Sequence, residues 1–156
     1  MLWSEKIETT EKLLLKIKHW KTIGGKVVFT NGCFDILHRG HAELLAQCAS
    51  FGDYVVVGLN SDSSVKKLKG LTRPIHDEQS RALLIAALQW VDAVVIFKEN
   101  TPEELIQAIL PDVLVKGGDY TLSQIAGAEF VKANGGEVRI VPLVDGFSTT
   151  SILAKN

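Results

Sequence analysis

Thr30-Asn31-Gly32-Cys33-Phe34-Asp35-Ile36-Leu37-His38-Arg39-Gly40-His41 is the stretch around which the chain is organised. Ahead of it, Lys26-Val27-Val28-Phe29 reads as a buried strand, and behind it Ala42 to Gln47 reads as a helix. Two histidines three residues apart therefore stand where a first strand hands over to a first helix. That spacing is close to one helical turn, so both imidazoles can point the same way. Gly40 between them lets a ligand approach the backbone. The helix start offers free N–H groups and a positive dipole end, which suits a phosphate. Two histidines at such a junction could also be a structural pair or an adventitious metal site. Cys33 is isolated, however, and no Cys-x-x-Cys or His-Glu-x-x-His spacing occurs in the chain, so metal ligation is the weaker account and no metal site is expected.

The whole chain bounds what such a site can serve. With 156 residues it reads as one domain, 1–156, in which residues 1–25 form an N-terminal helical extension. The net charge of −1 lacks the basic excess of a general nucleic-acid binder. Two cysteines make no disulfide framework and suit a reducing compartment. No secretory leader and no membrane-length apolar run is visible, so a cytoplasmic protein without membrane or nucleic-acid partners is expected.

Residues 4 to 21 carry a helical pattern with Ser4 as its cap, expected to pack across the outside of the domain. Further strands are read at Tyr54 to Asn60, Ala93 to Phe97, Asp112 to Lys116 and Glu137 to Val141. Helices are read between them: a short one ending in Lys66-Lys67-Leu68-Lys69, one over Asp77 to Gln89, one starting at Thr101-Pro102, and one near Ser123 to Ala133. Gly70 to Pro74 reads as an exposed loop. Strands alternating with helices predict an α/β fold, a Rossmann-like doubly wound sheet of five parallel strands. Ligands bind such sheets beyond the carboxyl ends of the strands. The polar and glycine-rich stretches fall there: Asn31 to His41, Asn60 to Gly70, Gly117 to Tyr120, and Asp145 to Ser151. Histidines, lysines, Arg81 and a Ser148-Thr149-Thr150 helix start on one rim suit a polyphosphate. No Walker A sequence and no Ser–His–acid arrangement is evident. What remains is direct attack of one bound phosphate on the phosphorus of a nucleotide.

With those residues in view, the chain resembles the cytidylyltransferase-like nucleotidyltransferases, whose His-x-Gly-His motif is here His38-Arg39-Gly40-His41. Within that superfamily it is most similar to the adenylyltransferases of ADP-heptose synthesis. The stretches that carry the likeness are Thr30 to Asp35, Asn60-Ser61-Asp62, Leu68-Lys69-Gly70, Leu110 to Tyr120, Asn134 to Val138, and Asp145-Gly146 with Ser148-Thr149-Thr150.

The resemblance implies AMP transfer from ATP, which brings Mg²⁺ with it, to D-glycero-β-D-manno-heptose 1-phosphate, releasing pyrophosphate on the way to lipopolysaccharide or another surface glycan. It implies catalytic roles for His38, His41 and Lys69, although Lys66 and Lys67 leave the lysine's register open. It implies nucleotide contacts from Thr30, Asn31, Gly32, Cys33, Phe34, Gly40, Arg81, Gly117, Gly118, Asp119, Ser148, Thr149 and Thr150. Asp35, Asn60 and Asp62 would meet the substrate. An arginine that precedes the Gly-x-Ser-Thr stretch in glycerol-phosphate cytidylyltransferases is here Leu143, which speaks against a cytidine nucleotide. Bifunctional heptose enzymes carry a sugar kinase ahead of this domain, so a separate heptose kinase is expected to supply the sugar phosphate. A homodimer is expected by the same likeness. Two alternatives stand: a transferase for another small phosphate, such as glycerol phosphate or phosphopantetheine, and a catalytically silent nucleotide-binding regulator.

Overall fold

The computed structural model describes residues 2–155. Its strands are β1 (Ile7–Glu8), β2 (Val27–Gly32), β3 (Tyr54–Asn60), β4 (Ala93–Phe97), β5 (Val113–Gly117) and β6 (Glu137–Val141). They form one parallel sheet in the order β1-β4-β3-β2-β5-β6. The helices are α1 (Thr10–Thr22), α2 (Arg39–Ser50), α3 (Asp62–Lys69), α4 (Glu78–Ala86), α5 (Glu103–Ile109), α6 (Ala128–Ala133) and α7 (Thr149–Leu153).

Side chains alternate across each strand, and the core divides accordingly. Phe29 and Val56 pack with Leu13, Ile17, Ile106 and Val131 on one face. Val28, Val55 and Val57 pack with Leu45, Cys48 and Ile85 on the other. With both faces covered, the central strands are apolar almost throughout, which is why they were visible in the sequence.

Aspartates at the amino ends of the strands help to set the register. Asp112 Oδ2 accepts from Val27 N at 2.7 Å, and Asp92 Oδ2 accepts from Val55 N at 2.7 Å. Asp53 Oδ2 accepts from Lys26 N at 2.8 Å. Each aspartate directly precedes a strand and satisfies a backbone N–H at the start of a neighbouring one, where the ladder has not begun.

The structure corrects the expected five strands to six, and with them the helical reading of residues 1–25. Ser4 lies in a short 3-10 turn over Trp3–Lys6, and Ile7–Glu8 then adds a strand beside β4. The helix begins only at Thr10, capped by Thr9, whose side chain accepts from Lys12 N. Nor does α1 lie outside: Leu13, Ile17 and Trp20 belong to the core, and Trp20 stacks on Tyr54 with ring centroids 4.3 Å apart. The helix read over Ser123 to Ala133 is divided, with a 3-10 turn at Leu122–Gln124 and α6 starting after Gly127.

The chain runs from β2 outward through β3 to β4, then returns to the other side of β2 for β5 and β6. The direction of winding reverses between β2 and β5, and a crevice opens beyond their carboxyl ends. No helix among the described residues is long and apolar enough to cross a membrane.

If α1 belongs to the core, Leu13→Ala should cost about 2–5 kcal/mol in urea unfolding. Leu15→Ala, on a side chain 70% exposed, should stay within about 0.5 kcal/mol.

Candidate functional site

Two histidines build the start of α2. His38 is its N-cap, and its Nδ1 accepts from Gly40 N at 3.1 Å. His41 reaches back, its Nδ1 accepting from His38 N at 3.4 Å. The rings stack with centroids 3.7 Å apart and 26° between their planes. An Nδ1 that accepts a backbone N–H carries no proton, so each neutral imidazole holds its hydrogen on Nε2. Both rings line a cavity of about 220 Å³, so the pair can present two N–H donors to an anion. Gly40 is required here: a Cβ would sit 2.9 Å from His38 Cε1 and 3.3 Å from the Phe147 carbonyl oxygen.

Burial holds the His41 pKa down to about 4, with His38 and Lys69 pushing the same way and Asp35 opposing them. Burial also lowers His38. At neutral pH His41 is therefore an uncharged donor, and positive charge must come from elsewhere.

It comes from lysines and an arginine. Lys69, at the end of α3, lines the 220 Å³ cavity and two neighbours of about 440 Å³ and 160 Å³. Lys66 and Lys67 line none of the three. Lys116, at the end of β5, lines the two neighbouring cavities. Burial lowers its pKa, and the charge of Lys69 adds to the effect. Burial raises Cys33, against the pull of Lys69, Arg81, Lys116 and Arg73, so it stays a neutral thiol.

The loop joining β2 to α2 is strained. Phe34 and Ile36 have φ of +47° and +53°, a region that disfavours residues with side chains. Two anchors oppose the strain. Phe34 is buried in the core. Asp35, 2% exposed, accepts from Ile75 N at 2.8 Å, His76 N at 3.1 Å and Arg73 Nε at 3.1 Å. Burial alone would raise its pKa, but these donors outweigh it and the net shift is downward. The Asp35 carbonyl in turn accepts from Thr149 Oγ1 at 2.5 Å, fastening α7 to the loop.

The expected site residues separate into those that meet the cavities and those that hold them. Asn31, Gly32, Cys33 and Asn60 line the 440 Å³ cavity, and Phe34 and Asp35 the 160 Å³ one. Gly40, Gly117, Ser148, Thr149 and Thr150 line the histidine cavity. The Thr149 hydroxyl is spent on Asp35, and Ser148 Oγ accepts from Ser151 N at 3.0 Å, so Thr150 is the freer of these hydroxyls.

Thr30, Asp62, Arg81, Gly118 and Asp119 line none of these cavities. Thr30 is fully buried within the sheet, Gly118 is buried, and Asp119 is exposed. Arg81 departs most from expectation: it is 0% exposed and its fork is spent on the protein. Nε donates to His76 O at 2.9 Å, Nη1 to Cys33 O at 2.7 Å and Asn60 O at 2.8 Å, and Nη2 to Asp62 Oδ1 at 2.8 Å. It sits beneath the rim as a brace, with four of its five N–H groups committed to the protein.

Sequence reasoning missed Lys116, Arg73, Asn100, Thr101, Tyr120 and Gln124 as cavity residues. Asn100 and Thr101 follow β4, so the rule that collected the other carboxyl-end loops could have found them. The helix expected to start at Thr101-Pro102 begins at Glu103, with Pro102 at its N-cap position and no side-chain cap. Among the described residues no cluster of His, Cys, Asp or Glu is arranged to hold a metal ion.

A parallel sheet with its cavities at the winding reversal and paired histidines at the start of α2 belongs to the doubly wound α/β class. The cytidylyltransferase-like family profile matches residues 29–152, and the chain belongs to that family. Among its relatives, "Bifunctional protein HldE" of Koribacter versatilis is 55% identical over 150 residues, covering 96% of this chain and 31% of the relative. The protein of the same name from Pseudomonas aeruginosa strain LESB58 is 53% identical over 145 residues, covering 93% of this chain and 31% of the relative. The chain thus spans about three tenths of the length of these curated relatives. The crystal structure of a lipopolysaccharide core biosynthesis protein from Thermoplasma volcanium superposes with a TM-score of 0.62 at 32% identity, over 78% of this chain and 98% of that one. A pantoate–beta-alanine ligase from Francisella tularensis shares the fold at 16% identity, with a TM-score of 0.66 over 96% of this chain and 72% of its own.

Two outcomes follow from this geometry. Arg81→Met should cost about 3–5 kcal/mol in urea unfolding, because it leaves Asp62 and three carbonyls without their donor. His41 should titrate by NMR near pH 4. The unfolded chain takes that proton at the ordinary value of 6.5. The folded state is therefore penalised progressively as pH falls from about 6.5 to about 4, by up to about 3 kcal/mol, and not above that window. His41→Asn should flatten this acid limb of stability.

Proposed function

We infer that this chain is an adenylyltransferase that moves AMP from ATP, bound as its Mg²⁺ complex, to D-glycero-β-D-manno-heptose 1-phosphate. The products are ADP-heptose and pyrophosphate. The observation that carries the chemistry is the histidine stack at the start of α2, whose two rings line one cavity together with Lys69. Family membership supports nucleotidyl transfer. Likeness to the HldE proteins and to a lipopolysaccharide core biosynthesis protein, with the matching stretches of sequence, supports the heptose acceptor.

On this reading the nucleotide's triphosphate lies over the start of α2. His38 and His41 donate to its phosphates, and Lys69 neutralises charge that builds up as pyrophosphate leaves. The nucleoside end would lie along Leu143 and Phe147, which line the same cavity. The sugar occupies the 440 Å³ cavity, where Asn31, Asn60, Asn100, Thr101 and Gln124 offer amides and a hydroxyl to a polyol and no carboxylate repels its phosphate. An oxygen of the sugar phosphate attacks the α-phosphorus. That P–O bond forms as the bond to the β-phosphate breaks, and the electron pair leaves with pyrophosphate. No protein nucleophile is needed, because the rate comes from alignment and charge neutralisation.

Pyrophosphate release with ATP or CTP against a panel of sugar and polyol phosphates tests this. Release with ATP and heptose 1-phosphate is expected, while release only with CTP or another acceptor would move the substrate assignment. Silence across the panel from folded protein would overturn the enzymatic reading. His41→Ala and Lys69→Ala should each lower kcat by about 10²–10³, and Lys66→Ala and Lys67→Ala should leave it unchanged.

A further inference from the structure

Arg73 belongs to the stretch read from sequence as an exposed loop, yet its side chain is only 12% exposed. Its Nε donates to Asp35 Oδ2 at 3.1 Å, while its Nη2 is buried and has no hydrogen-bond partner among the described residues. A buried donor left unpaired costs about 1–3 kcal/mol. A guanidinium with one nitrogen bonded to Asp35 and another buried and unpaired is therefore an expensive arrangement unless a ligand completes it.

The cavity that Arg73 lines shows which ligand. This 160 Å³ space is the waist between the other two. It shares His41 and Thr149 with the histidine cavity, Asn31 and Lys116 with the 440 Å³ cavity, and Lys69 with both. Its lining holds Lys69, Arg73 and Lys116 against a single carboxylate, Asp35. That carboxylate is already occupied by the Ile75 and His76 N–H groups and by Arg73 itself. The excess positive charge at the waist calls for an anion.

We propose that Arg73 is a catalytic residue of the transfer, its Nη2 donating to a non-bridging oxygen of the phosphate that passes between the two substrates. This rests on the adenylyl-transfer reading. With nucleotide and acceptor in the flanking cavities, the phosphorus bonded to both in the transition state lies at the waist. Arg73 gives up no proton there. It supplies a directed donor and a permanent charge where two phosphate anions are pressed together, and Asp35 holds the guanidinium in place. Lysine cannot replace it, because one ammonium cannot span both Asp35 and a phosphate oxygen with the same planar geometry.

The test is steady-state kinetics of Arg73→Lys and Arg73→Gln with ATP and the acceptor, beside the wild type, with thermal unfolding of each protein. Lysine keeps a charge for Asp35, so a purely structural Arg73 would be rescued by it. The expectation is a kcat lower by about 10² or more in both variants, with each KM within about threefold. Methylguanidinium added to Arg73→Ala should recover part of the lost kcat. Wild-type kcat in Arg73→Lys overturns the assignment, as does a loss expressed only as raised KM for both substrates. An active wild type beside an equally active Arg73→Lys overturns this inference alone. A silent wild type overturns the transfer reading, and this assignment with it.

Discussion

The rim of this sheet hangs on one buried guanidinium. Arg81 comes from α4, yet its donors reach the end of β2 at Cys33, the end of β3 at Asn60, the start of α3 at Asp62 and the preceding loop at His76. Carbonyls at strand ends have lost their ladder partners, and leaving them buried and unpaired would cost more than burying one paired charge. An arginine suits this position because its planar fork serves several acceptors at once without ever losing its proton. With the ends of β2 and β3 fixed relative to each other, the loops that leave them start from set positions.

Asp35 and Thr149 extend that brace. The β2–α2 loop carries two non-glycine residues in the left-handed region, a conformation that persists only where surrounding contacts over-determine it. Three donors on the Asp35 carboxylate and one on its carbonyl do so, and they join the loop before α4 to the start of α7. The same contacts place Arg73 beside His41 and Lys69, so the strain is held by the groups that line the waist.

Within the site, neutral and charged groups have separate tasks. The histidines are kept uncharged by burial, and backbone N–H groups fix their tautomer. Lys69, Lys116 and Arg73 act through charge. Lys116 is set deeper than Lys69, and burial lowers its pKa. This division concentrates positive charge where the cavities meet, while the 440 Å³ cavity adds the amides of Asn31, Asn60, Asn100 and Gln124 and the Thr101 hydroxyl to Lys69 and Lys116.

Sequence by itself determined the winding of the chain, the rim that carries the site and the histidine pair at its centre. Those features are local: apolar runs of strand length, capping residues, and a spacing of three across a helix start. It also marked the lysine cluster and the Ser-Thr-Thr stretch, because phosphate chemistry draws on few residue types. Only the tertiary structure decided which polar residues face the cavities. Arg81 and Arg73 are both arginines in or before the same helix, and nothing in their neighbours says that one spends its fork on carbonyls while the other leaves a donor open. Ile7–Glu8 is too short to signal a strand until β4 stands beside it. Burial, register and hydrogen-bond saturation depend on residues tens of positions away, and these turned an expected phosphate ligand into a brace and an expected loop residue into a part of the site.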